Sequence, residues 1–469
     1  MCRYSFGVTE NRWAQMFLQQ RRKLRLLVKN LHRGDIGSFV FNAKLSFVFV
    51  NHIGKSDKII NKLEENTMKK LFALLLAALM ILSMAACGKA DESKGMTESP
   101  LAAKEITKDF EVKADFKIGF ICLHDEKSTY DKNFLDAADE AIKALGLTEG
   151  QYIIKKNIPE GKECYEAAAD LVDQGCDVIF ANSFGHEDFM LQAAKEFPDV
   201  QFCHATGYKA HLEGVANYHN AFASIYEGRY LAGIAAGMKL NEMIEAGKIT
   251  AEQAKMGYVG AFTYAEVISG YSSFYLGAKS VCPSVTMEVQ FTGSWYDAIE
   301  EQNAAEALIA RNCVLISQHA DSMGAPGACE AAGVPNVSYN GATYEACPET
   351  FIVSSRINWA PYFAYIIKCA NTGATIDTDW CGGINEGSVV LTGINENVAA
   401  EGTYDAIVKA VEGLKNGTVK VFDTKNFTVE GATVTGDAVV DGIFEESKTQ
   451  SAPYFDLKID GITRLNEEF

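Results

Sequence analysis

Short apolar runs rich in β-branched and aromatic residues alternate along the chain with longer segments of helical spacing. The apolar runs form two series, at 117–123, 151–158, 178–183, 201–206 and 214–219, and at 256–262, 286–292, 314–319, 334–340 and 351–357. Apolar positions three and four residues apart characterise the segments at 134–144, 163–174, 298–310 and 323–332. Buried strands that alternate with such helices are typical of parallel sheets covered on both faces. The pattern therefore predicts an α/β fold.

Two series of five strands predict two similar lobes, because the chain of 469 residues is too long for one compact core. A helix-like stretch at 225–243 separates the series, and a helix at 361–371 and a strand at 388–394 are expected to return across a hinge. We expect lobe 1 to comprise 112–220 with 358–387, and lobe 2 to comprise 221–357 with 388–425. A helix is predicted at 403–415, followed by a C-terminal extension at 426–469. Within this extension, residues 426–441 are predicted to form a hairpin or an extended surface segment.

An export signal begins at Met68. Two lysines and an apolar run at 71–82 lead to small residues before Cys87, which is the pattern of a secretory signal peptide. The run is shorter than the roughly 20 residues that span a bilayer. Cys87 directly after Ala85 and Ala86 resembles the lipobox of bacterial lipoproteins, in which the cysteine carries the lipid. The pattern predicts a signal peptide at 68–86, lipid attachment at Cys87 and a flexible tether at 87–111, whereas the alternative is a chance cysteine in a buried helix.

Residues 1–67 precede this signal, so the simplest interpretation is translation from Met68, with 1–67 an upstream artefact to which we assign no function. Residues 87–469 carry 29 Lys and Arg against 56 Asp and Glu, a formal net charge of −27. Such a surface repels nucleic acid and anionic lipid. We therefore expect no nucleic-acid partner, and a link to the outer face of the cell membrane through the lipid alone.

The cysteines and the short motifs do not indicate chemistry. Ten cysteines follow Cys87, none of them in a Cys-x-x-Cys pair, and most lie in apolar runs, which favours buried thiols over a disulfide framework. Nucleophile-elbow and phosphate-loop patterns are absent from the sequence. The histidines lack metal-ligand spacing. We therefore expect a binding protein without a cofactor, a metal or an enzymatic activity.

The candidate ligand site lies where the predicted strands end, because ligands of open parallel sheets bind at the carboxyl ends of the strands. Large rings stand at these ends together with groups that form hydrogen bonds. The candidates are Tyr130, Phe184, Trp295 and Trp359 for the rings, and His319, Asp321 and Asn340 for the polar groups. Rings above and below a flat heterocycle, with an amide and a carboxylate at its edge, suit a nucleobase. The hypothesis is that Phe184 and Trp295 stack on the base while Asp321 and Asn340 contact its edge.

Basic residues are scarce at the strand ends, where only Lys127 and Arg356 occur. An anionic ligand would need such partners. The pattern therefore disfavours sugar phosphates and acidic solutes.

The same regions carry a recognisable set of motifs. These are DVIFANSFG at 177–185, FPDV at 197–200, HATGY at 204–208, GRYLAG at 228–233, GYVGAF at 257–262, EV at 266–267, WYD at 295–297, QHADS at 318–322, YN at 339–340 and NW at 358–359. In this order, over about 115–425, they resemble the basic membrane protein family, also called PnrA-like, of ABC-transporter lipoproteins. The resemblance implies a type I periplasmic-binding fold, with two Rossmann-like parallel-sheet lobes joined by a hinge. It also implies a purine nucleobase or nucleoside as ligand, and an ABC permease and ATPase as partners.

The resemblance also bears on the choice of ligand. The WYD and QHADS motifs look like those of the branch associated with free bases such as adenine. Where nucleoside-binding members hold a ribose-gripping aspartate, this chain has Asn340, which favours a bare base. Nucleobase, nucleoside and flavin remain open, and so do two other functions: a ligand-sensing receptor of the same fold and a surface nucleoside hydrolase.

Overall fold

The computed structural model describes residues 95–447 and 449–469. The segment 1–67, the signal peptide expected at 68–86 and the lipid attachment expected at Cys87 lie outside the described residues.

The first lobe is built on a six-stranded, fully parallel sheet. Its strands are β1 (Ile118–Ile121), β2 (Tyr152–Lys155), β3 (Val178–Ala181), β4 (Gln201–Ala205), β5 (Tyr218–Ala223) and β11 (Asp379–Gly382), in the order β11-β5-β4-β3-β1-β2. Its helices are α1 (Thr129–Leu145), α2 (Lys162–Asp173), α3 (Glu187–Glu196), α4 (Ala210–Glu213) and α9 (Ala360–Thr372). The central strands β1 and β3 are buried along their whole length, as sheets covered on both faces require.

The second lobe has a seven-stranded sheet in which only the edge strand β12 is antiparallel to its neighbour. Its strands are β6 (Lys255–Gly260), β7 (Thr286–Phe291), β8 (Leu315–His319), β9 (Asn336–Tyr339), β10 (Phe351–Ile357), β12 (Val389–Leu391) and β15 (Ile462–Arg464), in the order β12-β10-β9-β8-β6-β7-β15. Its helices are α5 (Ile225–Glu245), α6 (Ala265–Val281), α7 (Ala298–Ala310), α8 (Gly324–Ala332) and α10 (Thr403–Lys415). The remaining strands, β13 (Val439–Val440) and β14 (Ile443–Phe444), form a small hairpin.

Three segments connect the lobes: one between β5 and α5, one between β10 and α9, and one between β11 and β12. They lie side by side, because Ser224 N donates to Gly382 O over 2.9 Å and Asn358 N donates to Ser388 O over 2.7 Å. Bundled crossings hold the lobes at one edge and leave the opposite side free to separate, which is the architecture of a hinge. The predicted two-lobed α/β fold is confirmed.

Glycines allow α5 and α6 to pack closely at the core of the second lobe. A Cβ at Gly233 would clash with the backbone carbonyl of Phe274, and one at Gly277 would clash with the carbonyl of Tyr230. The two helices therefore touch backbone to backbone, and a side chain at either position would force them apart. Both helices are apolar on most of their surface, so they form the interior of the lobe.

Several elements differ from the sequence-based expectation. The fifth strand of the first lobe runs over Tyr218–Ala223 instead of 214–219, because α4 and a turn occupy the chain before it. Helix α6 has no polar stripe, since residues 267–278 are all buried, and so it gives little amphipathic signal. Strands β11 and β15 are three or four residues long, too short to show alternation, and they depend on partners far away in sequence.

Both ends of the described chain pack on the two-lobed fold. In the segment expected as a tether, Thr97 N donates to Ile394 O over 2.9 Å and Leu101 is buried. In the expected C-terminal extension, β15 adds a parallel strand beside β7. Residues 95–101 and 462–464 are thus integrated into the fold. All ten cysteines in the described ranges are free thiols, and nine of them are buried.

The close approach of α5 and α6 predicts opposite effects for two glycine substitutions. Gly277→Ala should lower the free energy of unfolding by about 1–3 kcal/mol through overpacking against Tyr230. Gly327→Ala, at an exposed helical position with open space around it, should raise it by about 0.5–1 kcal/mol, because alanine is the better helix former. Chemical unfolding of the two variants beside the parent protein measures both changes. Equal effects at the two positions would contradict the packing described.

Candidate functional site

A cavity of about 20 Å³ lies between the lobes, where the carboxyl ends of strands from both sheets face each other. This space has room for about one water molecule, so a ligand can enter only when the lobes separate. Its lining residues from the first lobe are Leu123, His124, Tyr130, Asp131, Ser183, Phe184 and Thr206, and those from the second lobe are Glu266, Trp295, His319 and Asp321. We call it the cleft cavity.

The first turn of α1 carries two of the lining side chains of the first lobe. Ser128 caps this helix, since its hydroxyl accepts a hydrogen bond from Asp131 N over 3.1 Å. The hydroxyl of Tyr130 donates to Asn182 O, which fixes the ring beside the end of β3. Asp131 Oδ1 accepts from His124 N over 3.0 Å and from Asn182 Nδ2 over 2.8 Å. These hydrogen bonds outweigh the effect of burial and lower the pKa of Asp131, so this carboxylate is ionised.

Two loops of the second lobe are tied together beneath Trp295 and Asp321. Asp321 N donates to Trp295 O over 2.9 Å. Glu301, on α7, accepts from Ser322 N at 3.2 Å with each carboxylate oxygen. The neighbouring Asp297 caps α7 by accepting from Ile299 N and Glu300 N over 3.0 Å each. The ring of Trp295 and the carboxylate of Asp321 are therefore presented to the cavity as one unit.

Aromatic rings from both lobes meet next to the cavity. The ring centroids of Phe184, from the first lobe, and Tyr264, from the second, lie 5.3 Å apart. Tyr264 stacks on Phe262 at 4.9 Å and lies 5.9 Å from Trp295. These separations are those of direct ring-to-ring contact. Phe184, Tyr264 and Trp295, which we call the aromatic cluster, form an apolar face suited to a flat ring.

The lobes also touch through the backbone of Asp321. Its carbonyl oxygen accepts from Thr129 N over 3.0 Å and from Thr129 Oγ1 over 3.1 Å. Thr129 opens α1 in the first lobe, so these bonds cross the cleft. With the contact between Phe184 and Tyr264, they describe a closed arrangement of the lobes.

Acidic groups dominate the electrostatics of the cleft cavity. Among the described residues that line it are the carboxylates of Asp131, Glu266 and Asp321, but no lysine or arginine. Burial raises the pKa of Asp321 well above its usual range, and the nearby Glu301, Asp131 and Glu266 raise it further. Burial raises the pKa of Glu301 to about 7. A site of this kind accepts hydrogen bonds from N–H or O–H groups and repels anions.

His319 lies at the back of the cavity with its Nε2 atom 3.5 Å from Glu266 Oε1. Burial lowers the pKa of His319, although the neighbouring Glu266 opposes this shift. The ring also lies 4.5 Å from that of Tyr339. His319 is therefore a buried imidazole next to the Glu266 carboxylate.

Thr206 adopts an unusual backbone conformation at the end of β4. Its φ of 70° lies in the left-handed region, which a β-branched residue rarely enters. Its hydroxyl is buried at the cavity and has no hydrogen-bond partner in the described part of the chain. Strained residues cluster at ligand sites, so Thr206 is a candidate ligand contact.

The structure brings five of the seven predicted ligand-binding residues together along the cleft cavity: Tyr130, Phe184, Trp295, His319 and Asp321. Asn340 lies beside Asp321, where its side chain opposes the rise in pKa, and it lines the neighbouring groove that also contains Lys127 and Arg356. Trp359 does not line the cavity. Its ring is buried in the core and stacks on Phe134 at 4.6 Å.

Six lining residues were not among the seven candidates for ligand binding: Leu123, His124, Asp131, Ser183, Thr206 and Glu266. Their positions next to strand ends were a usable signal for His124, Thr206 and Glu266. Asp131 lies inside α1, and only the capping serine three residues earlier indicates that the helix begins there. The strain at Thr206 leaves no trace in the sequence.

Residues 118–425 match the family model described as ABC transporter substrate-binding protein, PnrA-like. The chain is 32% identical to a purine-binding protein of Brucella abortus over 278 residues, 59% of this chain and 74% of that protein. It is also 32% identical, over 254 residues, to a protein of Haloferax volcanii that is named provisionally as an ABC transporter glucose-binding protein; the match covers 54% of this chain and 61% of that one.

A further relative and a solved structure agree with this architecture. An ABC transporter nucleoside-binding protein of Lactococcus lactis is 26% identical over 221 residues, 45% of this chain and 57% of that protein. A solute-binding protein of an ABC transporter system from Conexibacter woesei aligns with a TM-score of 0.52 at 21% identity, over 65% of this chain and 98% of that one. In the described ranges, no helix is both long and apolar enough to cross a membrane, and no cluster of three potential metal ligands occurs.

The raised pKa of Asp321 predicts a pH-dependent effect of Asp321→Asn on stability. A carboxyl group with a raised pKa in the folded state loses its stabilising contribution as the pH rises from about 4, its unfolded value, through the folded value. The amide does not titrate. The melting temperature of the ligand-free variant should therefore exceed that of the parent protein by a margin that grows from pH 4 to pH 8.

Asp139→Asn, at an exposed position of α1, is the matched control and should show no such trend. Thermal melts across this pH range measure both differences. If the difference in melting temperature between the Asp321 variant and the parent protein does not change with pH, Asp321 is not a buried carboxyl with a raised pKa.

Proposed function

This chain belongs to the PnrA-like family of ABC transporter substrate-binding proteins, and on that basis we propose that its cleft binds an uncharged purine, as the free base or the nucleoside. Substrate-binding proteins of this kind bind small molecules and work with permease and ATPase components. The observation that carries the proposal is that the rings of Phe184 and Trp295 line one cavity between the two lobes together with the carboxyl groups of Asp131, Glu266 and Asp321. We further propose that the protein performs no chemistry on its ligand.

The rings support a flat ligand. Phe184 and Tyr264 belong to different lobes and are now in direct contact, so a base would enter between them when the lobes separate and be enclosed when they close. Stacking of a base on an aromatic side chain contributes about 1–3 kcal/mol per ring. A ligand that contacts rings on both lobes favours the closed state through its additional contacts.

The polar lining supports a ligand that donates hydrogen bonds. Asp131 is ionised and can accept from the ring N–H or the amino group of a purine, a bond that contributes about 1.5–3 kcal/mol, and Asp321 offers a further acceptor. The hydroxyl of Thr206 is in reach of the same space. A phosphate group would meet three carboxylates without a lysine or arginine among the described lining residues, so nucleotides should be excluded.

A neutral monosaccharide is the second candidate. Carboxylates that accept from hydroxyls, next to one aromatic face, also suit a sugar, and one relative is named provisionally for glucose. The two-sided contact of rings across the cleft favours the purine, because a flat aromatic ligand offers two stacking faces. The relative named for purine binding also matches over a larger share of its own length.

We also propose that the protein is anchored outside the cell by a lipid on Cys87. The small residues before Cys87, the apolar run before them and the acidic remainder of the chain support this assignment. With its ligand captured, the closed protein would dock on an ABC permease at the same membrane.

Trp295→Ala should weaken the binding of adenine at least tenfold, because one stacking contact of 1.4 kcal/mol or more is lost. Asp321→Asn should weaken it at least fivefold, since an N–H donor of the ligand favours the ionised carboxylate and the amide cannot provide that acceptor. Isothermal titration calorimetry with adenine, adenosine, AMP and glucose measures these affinities. AMP should bind at least a hundredfold more weakly than adenosine.

Trp380→Phe is the control, since Trp380 lies on β11 and packs on Tyr362 away from the cleft cavity. It should leave the adenine affinity unchanged. Glucose binding with no purine binding would favour the second candidate, and tight binding of AMP would overturn the charge argument.

Cys87→Ser should abolish membrane attachment when the chain that begins at Met68 is expressed in a bacterium that processes lipoproteins. The parent protein is expected in the detergent phase of a Triton X-114 partition and should incorporate labelled palmitate, while the serine variant should do neither. Cys381→Ser, at a thiol within the folded body, provides the control and should remain anchored. A Cys87 variant that still partitions into detergent would refute the anchor.

A further inference from the structure

The segment 462–469 lies beyond the residues that match the family model, which end at 425. It runs beside β7 towards the cleft. Strand β15 pairs in parallel with β7, and Leu465 N then donates to Val289 O over 2.8 Å. The segment thus reaches the carboxyl end of β7, where the loop that carries Trp295 begins.

Asn466 binds the last residue of β7 through both ends of its side-chain amide. Phe291 N donates to Asn466 Oδ1 over 2.8 Å, and Asn466 Nδ2 donates to Phe291 O over 2.9 Å. This paired contact replaces the bonds that a neighbouring strand would make. It fixes the point from which the chain turns through Gly293, at a φ of 75°, towards Trp295.

Phe469 contacts both loops that support the aromatic cluster. Its backbone oxygen accepts from Thr263 N over 3.1 Å, one residue before Tyr264. Its ring covers Gly293, where an added Cβ would collide with it. A single residue therefore touches the loop after β6 and the loop after β7.

We propose that Asn466 and Phe469 are positioning residues for the ligand site: through Phe291, Gly293 and Thr263 they hold Tyr264 and Trp295 in the arrangement that binds the ligand. The inference rests on the proposed function, because it assumes that these rings contact the ligand. Loops that are fixed before binding lose less conformational freedom on binding, so their support contributes to affinity without touching the ligand. The binding site thus includes a segment outside the region common to the family model.

The test uses Asn466→Ala and Phe469→Ala in the full chain, with Asp460→Ala as the matched control. Asp460 Oδ2 accepts from Gly431 N over 2.9 Å. This control therefore breaks a contact in the same part of the chain, but one that lies away from the cleft. Hydrogen exchange followed by mass spectrometry, without ligand, reports on peptides that cover 261–266 and 292–297. Both test variants should increase exchange at least threefold in the peptide that covers 292–297, because the side chains that they remove contact Phe291 and Gly293, and the control should not.

Calorimetry with adenine, well below the melting temperature of each variant, provides the second readout. Asn466→Ala and Phe469→Ala should weaken binding three- to tenfold, while Asp460→Ala lowers the melting temperature but leaves the affinity unchanged. If the segment has a merely structural role, the melting temperature falls in all three variants, but the affinity for adenine and the exchange of the loop peptides are the same in all of them. That result would overturn the inference. If Asn466→Ala fails to fold, Phe469→Ala decides. If the two variants loosen the loops but the parent protein binds no purine, the result counts against the proposed ligand and not against the positioning role of the segment.

Discussion

The ligand site depends on one geometric constraint: in both lobes the strands next to the cleft are parallel, and their carboxyl ends face each other. Parallel strands place all their following loops at the same edge, so side chains far apart in sequence converge there. Tyr130 and Phe184 reach the cleft cavity from one sheet, and Trp295 and Asp321 from the other. The three crossings at the hinge hold the sheets in this orientation and leave the cleft as the part that can open.

The site is built at some expense to stability. Asp321 is a buried carboxyl whose pKa is raised by burial and by neighbouring carboxyls, and Thr206 is held at a positive φ. Such groups are tolerated because the surrounding structure fixes them and because a ligand with N–H donors would satisfy them. The same features that weaken the ligand-free protein would thus favour closure around a ligand, which couples binding to the movement of the lobes.

Much of this could be predicted from local patterns. The apolar runs identified ten of the strands, and the rule that ligands bind at strand ends located five residues of the cleft cavity. What failed depended on distant contacts. Trp359 follows a strand like the other candidates, but it turns into the core against Phe134; β15 exists only because β7 lies beside it; and α6, buried on all sides, shows no periodicity.

The central claim is that the cleft holds an uncharged purine, and the most direct measurement is the identity of the small molecule that the protein retains. Mass spectrometry of the compounds released when the gently purified protein is denatured would identify it. The account predicts a purine base or nucleoside in near-stoichiometric amount, absent from a parallel preparation of the protein with Trp295 replaced by alanine. A retained monosaccharide or a phosphorylated compound would contradict it.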